Sequence, residues 1–186
     1  MPDAREPKPF EVAPVNPLEP DRLVLRPLTE DDATFILRLL NDPSFLEWIG
    51  DKGVRTLDEA RTYIRTSPVE SYRANGFGLC LTLRKADRAP IGICGLVKRE
   101  TLADPDVGFA LLPEFWNQGY AVEAASAAIA DGVARLGLRR IAAVVKPGNE
   151  ASIRTVKKLG MAPAGTARLS ADGPELLLFA VDFPRA

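Results

Sequence analysis

Asp106-Val107-Gly108-Phe109-Ala110-Leu111-Leu112-Pro113-Glu114-Phe115-Trp116-Asn117-Gln118-Gly119-Tyr120-Ala121-Val122-Glu123-Ala124-Ala125 decides how this chain is read. Residues 106–112 alternate as a strand, and Pro113 ends pairing because it has no N–H for a ladder. Asn117 and Gly119 suit a tight turn, since both enter the left-handed region at low cost. An Ala-rich helix then starts near Gly119 and runs to Leu136, with Gly137 as its stop. A strand that feeds a helix through such a turn aims several backbone N–H groups, and the positive end of the helix dipole, at one point. That arrangement binds an anion, most naturally a phosphate, without needing a lysine.

Upstream, Arg22–Arg26 is a first strand closed by Pro27, and Thr29 with Asp32 precedes a helical spacing of Ala33, Ile36, Leu37, Leu39 and Leu40. Asp42-Pro43 is expected to end that helix and to open a loop containing Phe45–Gly50. Thr56 and Glu59 form a capping box for a helix towards Tyr72, kinked or split at Pro68. Strands are expected at Phe77–Leu83 and Ile91–Val97, and downstream at Arg140–Val145, Ala164–Leu169 and Glu175–Phe183. Residues 1–20 carry six prolines and read as an arm ahead of a single domain over 21–186. This order predicts an α+β fold with a mixed, mostly antiparallel sheet of about seven strands and about four helices.

Composition narrows the chemistry. The formal net charge of −1 offers nothing that would recruit nucleic acid or a membrane surface. No segment reads as a signal peptide or a membrane span, so a cytoplasmic protein is expected. The sequence contains no histidine, which excludes Ser-His and Cys-His nucleophile pairs and His-based metal sites; no metal is expected. Cys80 and Cys94 lie in apolar strand-like runs and read as buried free thiols. Acid–base work falls to carboxylates, lysine, tyrosine or water. The turn at 116–121 also lacks the Gly-Lys-Ser/Thr of a phosphate-binding loop that hydrolyses nucleotides.

A second segment, Val145-Lys146-Pro147-Gly148-Asn149-Glu150-Ala151-Ser152-Ile153-Arg154-Thr155-Val156-Lys157-Lys158-Leu159-Gly160-Met161, sets Asn149 at a helix start with Ser152 on the same face. Taken alone, Asn149 is an ordinary N-cap, and the basic residues are an ordinary solvated helix face.

Together, residues 106–125 and 145–161 resemble the two cofactor motifs of the GNAT acetyltransferases. Arg22–Ala33 is similar to the opening of their RimJ/RimL-type branch, which acetylates protein N-termini and small amines. The superfamily's loop is usually Gln/Arg-x-x-Gly-x-Gly/Ala. Here Trp116 stands first, Gly119 and Ala121 match, and Asn117 departs from the branch's Trp-Gly-x-Gly-Tyr-Ala.

The resemblance implies acetyl-CoA as co-substrate. Backbone N–H groups of Gln118, Gly119, Tyr120 and Ala121 would bind its pyrophosphate, with Trp116 and Asn117 shaping the loop. Phe109, Ala110 and Leu111 would pair with the pantetheine arm, and an N–H near Leu111 would polarise the thioester carbonyl. Asn149 would hold the pantetheine or a water, Ser152 would protonate the leaving thiolate, and Lys157 or Arg154 would reach the nucleotide phosphates. Asp106, with Glu100 as the alternative, would serve as base, and burial should raise its pKa. The acceptor would be a small-molecule or peptide amine, entering near Phe45, Trp48, Tyr72 and Phe77, with Glu47 and Asp51 drawing a cation. A non-catalytic acyl-CoA-binding module and an unrelated phosphate-binding protein are the other readings. Monomer and homodimer are both compatible with the resemblance.

Overall fold

The computed structural model describes residues 15–184. The elements run β1 (Leu23–Pro27), α1 (Ala33–Leu40), α2 (Pro43–Trp48), α3 (Leu57–Ile64), α4 (Glu70–Asn75), β2 (Leu79–Arg84), β3 (Pro90–Val97), β4 (Asp106–Leu111), α5 (Tyr120–Leu136), β5 (Arg140–Val145), α6 (Glu150–Lys158), β6 (Ala162–Ala167) and β7 (Leu176–Asp182). The strands form one seven-stranded sheet in the order β1-β2-β3-β4-β5-β7-β6. Every neighbouring pair is antiparallel except β4 and β5, which run parallel.

Each face of the sheet carries its own core. On one face, Ala124, Ala125 and Ile129 of α5 and Val156 of α6 pack with Leu25, Leu96, Val107, Ile141 and Phe179. The small alanines let α5 lie close, and Gly132 closer still: a Cβ there would stand 2.6 Å from Leu96 Cδ1. On the other face, Ile36, Leu39 and Leu40 of α1 and Ala60 and Ile64 of α3 pack with Leu81, Leu83 and Ile93. The helical spacing of the α1 residues places them all on one stripe.

The helix starts follow their caps. Thr56 Oγ1 accepts from Glu59 N at 3.2 Å, and Glu59 Oε2 accepts from Thr56 N at 2.9 Å, closing the expected box. Pro68 interrupts the helix with a π-helical turn over Arg65–Val69 between α3 and α4. Phe45–Gly50 is not the expected loop. Asp42 caps a short extra helix, accepting from Ser44 N at 2.9 Å, and Pro43 takes its first position. The Asp-Pro pair that stops α1 is equally an N-cap followed by a proline that needs no N–H partner, so one signal ends one helix and starts the next. With α2 added, and α3 and α4 counted as one helix split at Pro68, five helices flank the sheet where about four are expected.

The expected arm lies largely in residues 1–14, outside the described residues. Its remainder is docked: Leu18 and Leu25 exchange two backbone hydrogen bonds of 2.8 Å, and Val15 and Leu18 pack on the core.

Candidate active site

β4 and β5 are joined at one register position only, Asp106 with Ala142, where Ala142 N donates to Pro105 O at 2.9 Å. Beyond it the two strands part. β4 stays bonded to β3 on its other edge, and β5 to β7 on its other edge. Leu112 N donates to Ile91 O at 2.9 Å. By the alternation of an antiparallel ladder, the N–H groups of Leu111 and Phe109 therefore point the opposite way, into the gap. The Leu111 carbonyl also faces the gap and accepts from Trp116 Nε1 at 2.7 Å. The splay is thus a slot with an unused strand edge along one wall.

The loop at the head of α5 closes one end of that slot. Asn117 has φ 59° and Gly119 has φ 80°, and both are left-handed. No side chain caps α5, so its first-turn N–H groups are free of the usual Ser, Asp or Asn oxygen. Arg22 holds the loop from behind. Its NH1 donates to Gln118 O at 2.9 Å, its Nε pairs with Glu123 at 2.6 Å, and its guanidinium lies 4.6 Å from the Tyr120 ring centroid. Pairing Glu123 offsets a carboxylate that would otherwise oppose an anion at this helix end.

A cavity of about 430 Å³ runs along the loop and is lined by Phe109, Ala110, Leu111, Trp116, Asn117, Gly119, Tyr120, Ala121, Asn149 and Ser152 among others. These are sequence-predicted residues from two distant motifs, brought together. Gln118 is not part of the lining, and its side chain turns back to donate to Glu114 O at 3.0 Å. Lys157 also stays outside. Arg154, the other residue expected there, and Lys158, one turn further along α6, line the cavity. Asn149 caps α6 by accepting from Ser152 N at 3.0 Å, which fixes both residues at the cavity wall.

A second cavity of about 780 Å³ adjoins the first, sharing Phe45, Trp48, Ile49, Phe109, Ala110, Asn149 and Ser152. Asp106 lies on its lining with a side chain only 1% exposed, and Oδ1 accepts from Arg99 Nε at 2.8 Å. Burial pushes the Asp106 carboxyl up from 3.8, and Arg99 offsets only part of that. Glu100 is exposed in the turn after β3 and lines neither cavity.

Of the expected acceptor-side aromatics, Phe45 and Trp48 are present on the lining. Tyr72 and Phe77 belong to the core instead, with Tyr72 Oη accepting from Leu28 N at 3.1 Å and donating to Leu79 O. Glu47 is on the lining, but Asp51 is engaged by Arg55 and by Gly53 N. Cys80 and Cys94 are buried cross-strand neighbours and free thiols, and burial pushes Cys80 up to about 12 and Cys94 higher still. Neither is a nucleophile at neutral pH.

Sequence reasoning missed Arg22 and Lys52. Arg22 reaches partners about a hundred positions away, and Lys52 sits in a loop without a motif; neither carries a local signal. Among the described residues no cluster of metal-ligating side chains occurs, and no helix is long and apolar enough to cross a membrane.

Comparison with known proteins agrees with this geometry. The model of the Acetyltransferase (GNAT) domain matches residues 22–162. The uncharacterized N-acetyltransferase YoaA of Bacillus subtilis (strain 168) is 31% identical over 153 residues, covering 81% of this chain and 85% of that protein. Mycobacterium smegmatis RimJ in complex with CoA-disulfide superposes with a TM-score of 0.76 at 21% identity, over 90% of this chain and 88% of that one. RimL, a ribosomal L7/L12 alpha-N-protein acetyltransferase in complex with coenzyme A, gives a TM-score of 0.77 at 16% identity, over 90% and 98% of the respective chains. At those identities the two structures speak for the fold alone. The family match covers most of the chain, and the chain belongs to the GNAT acetyltransferase domain family.

Proposed function

We propose that the chain moves an acetyl group from acetyl-CoA to a primary amine by direct attack within a ternary complex. The observation that carries this reading is the β4–β5 splay, closed at one end by the left-handed Asn117–Gly119 loop. Its size and polarity suit a long, thin ligand with a phosphate head. The free edge at Phe109 and Leu111 pairs with the amides of the pantetheine arm as an added strand would. The N–H groups of residues 118–121 take the pyrophosphate at the positive end of α5. Arg154 and Lys158 reach the phosphates of the nucleotide end.

The amine enters through the larger cavity and meets the thioester where the two cavities adjoin. The inward Leu111 N–H holds the oxygen that becomes negative as the amine adds to the carbonyl. Asp106 accepts the amine proton through a chain of waters along the larger cavity, its raised pKa making it a better base than an exposed carboxylate. As the C–S bond breaks, the Ser152 hydroxyl relays a proton from solvent to the departing thiolate, taking up one proton as it gives up the other. The high pKa of both thiols supports direct attack over an acetyl-cysteine intermediate. The acceptor is a protein N-terminus or a small amine, as for the RimJ/RimL-type branch.

Calorimetry with acetyl-CoA and thiol release over an amine panel test this reading. Absence of binding at millimolar acetyl-CoA defeats it. One observation favours a second reading, an acyl-CoA-binding module without turnover: Arg99 already occupies an oxygen of Asp106. Tight binding with no thiol release from any amine would support that module.

A further inference from the structure

The larger cavity carries a charge pattern that acetyl transfer does not use. Three cations line it, Lys52, Arg99 and Lys146, against two carboxylates, Asp106 and Glu47. Asp106 is taken by Arg99 Nε, and Glu47 is exposed. Lys146 Nζ is engaged, donating to Glu47 O at 2.8 Å and lying 5.9 Å from the Trp48 ring centroid. Lys52 has no hydrogen-bond or ion-pair partner among the described residues, and neither do the two terminal nitrogens of Arg99. Lys52 is exposed by area, yet protein surrounds its ammonium enough that burial, and then the nearby Arg99 charge, lower its pKa. Two cations lining one cavity, where the one buried carboxylate is already paired with Arg99, leave an excess positive charge that an added anion would relieve. Tyr63 of α3 and Ser67 of the π-helical turn line the same cavity.

We propose that the acceptor amine carries a carboxylate, and that Lys52 with the terminal nitrogens of Arg99 binds it. This rests on the transfer reading for the amine half of the molecule. The Arg99 fork suits bidentate pairing with a carboxylate, and Lys52 adds a point charge. The cavities adjoin at Phe109 and Ala110, three to four residues along β4 from Asp106, so the strand separates the two ends by roughly 10–13 Å. The carboxylate therefore stands several bonds from the reacting nitrogen, as in an ω-amino acid or in a peptide whose second residue is acidic. A cationic acceptor, the expectation raised by Glu47 and Asp51, is disfavoured by this charge balance.

The test uses matched acceptors with the full chain. One set is ε-aminocaproate, hexylamine and hexamethylenediamine; the other is the amides of Ala-Glu and Ala-Gln. The carboxylate-bearing member is expected to exceed its neutral partner in kcat/KM by about tenfold, through KM. The set with the larger preference identifies the source of the carboxylate. Lys52→Met should remove most of that preference, Lys52→Arg should restore it, and unchanged acetyl-CoA affinity reports that the fold is intact. Equal or better use of hexylamine or hexamethylenediamine, or a preference that survives Lys52→Met, overturns the proposal. If no amine turns over, the same comparison is read as calorimetric binding to the CoA-loaded protein. Failure of acetyl-CoA to bind at all would instead overturn the transfer reading.

Discussion

Asn117 holds a left-handed backbone without being glycine, and the loop geometry depends on it. Asn117→Gly should leave stability near wild type. Asn117→Val should cost about 1–2 kcal/mol, because a β-branched side chain is strained at positive φ. A shift in the urea midpoint at constant slope measures this. Gly119→Ala carries a second penalty: its Cβ would stand 3.3 Å from Arg22 NH2. It should weaken acetyl-CoA by about tenfold, seen by calorimetry, since the anion loop must shift. Asp106 makes a pH prediction. Its folded pKa is raised above 3.8, so the folded chain holds this proton more tightly than the unfolded chain does. The resulting stability is full below 3.8 and is lost as pH rises through the folded value. Asp106→Asn has no such loss, so its stability relative to wild type should improve as pH rises across that window in urea titrations. Its thiol release should fall, with acetyl-CoA affinity unchanged. The places of Asp106, Asn149 and Ser152 on the cavity linings were legible because each sits at a fixed position in a motif. Of the expected pair, Arg154 lies on the cavity lining and Lys157 does not, because spacing alone does not say which of several adjacent basic residues faces a cleft. Arg22 and Lys52 were invisible because their neighbours are set by tertiary contact.

Elements were the most legible level. α5 and β5 run from Tyr120 to Leu136 and from Arg140 to Val145, close to their expected bounds, because glycine stops and β-branched composition mark them locally. α2 was hidden because Asp42-Pro43 reads as a stop before it reads as a start. The parting of β4 from β5 left no mark on either sequence, since each remains a good strand on its bonded edge. α6 depends on one cap. Asn149→Ala removes the oxygen that accepts from Ser152 N and should cost about 1 kcal/mol. Since the same cap holds Ser152 at the cavity wall, the variant should also slow thiol release more than Glu150→Ala, a change one position into the same helix.

Over the whole molecule, one sheet with a core on each face holds the slot open between two strands that are each bonded elsewhere. The slot's central claim is that it grips a pantetheine arm as well as a phosphate head. Calorimetric comparison of CoA with 3′-phospho-ADP, which keeps the pyrophosphate and the 3′-phosphate but lacks the arm, tests this most directly. CoA should bind at least about tenfold more tightly, a gain of about 1.4 kcal/mol from the added strand-like pairing. 3′-Phospho-ADP binding as tightly as CoA, or no CoA binding at millimolar concentration, would contradict it.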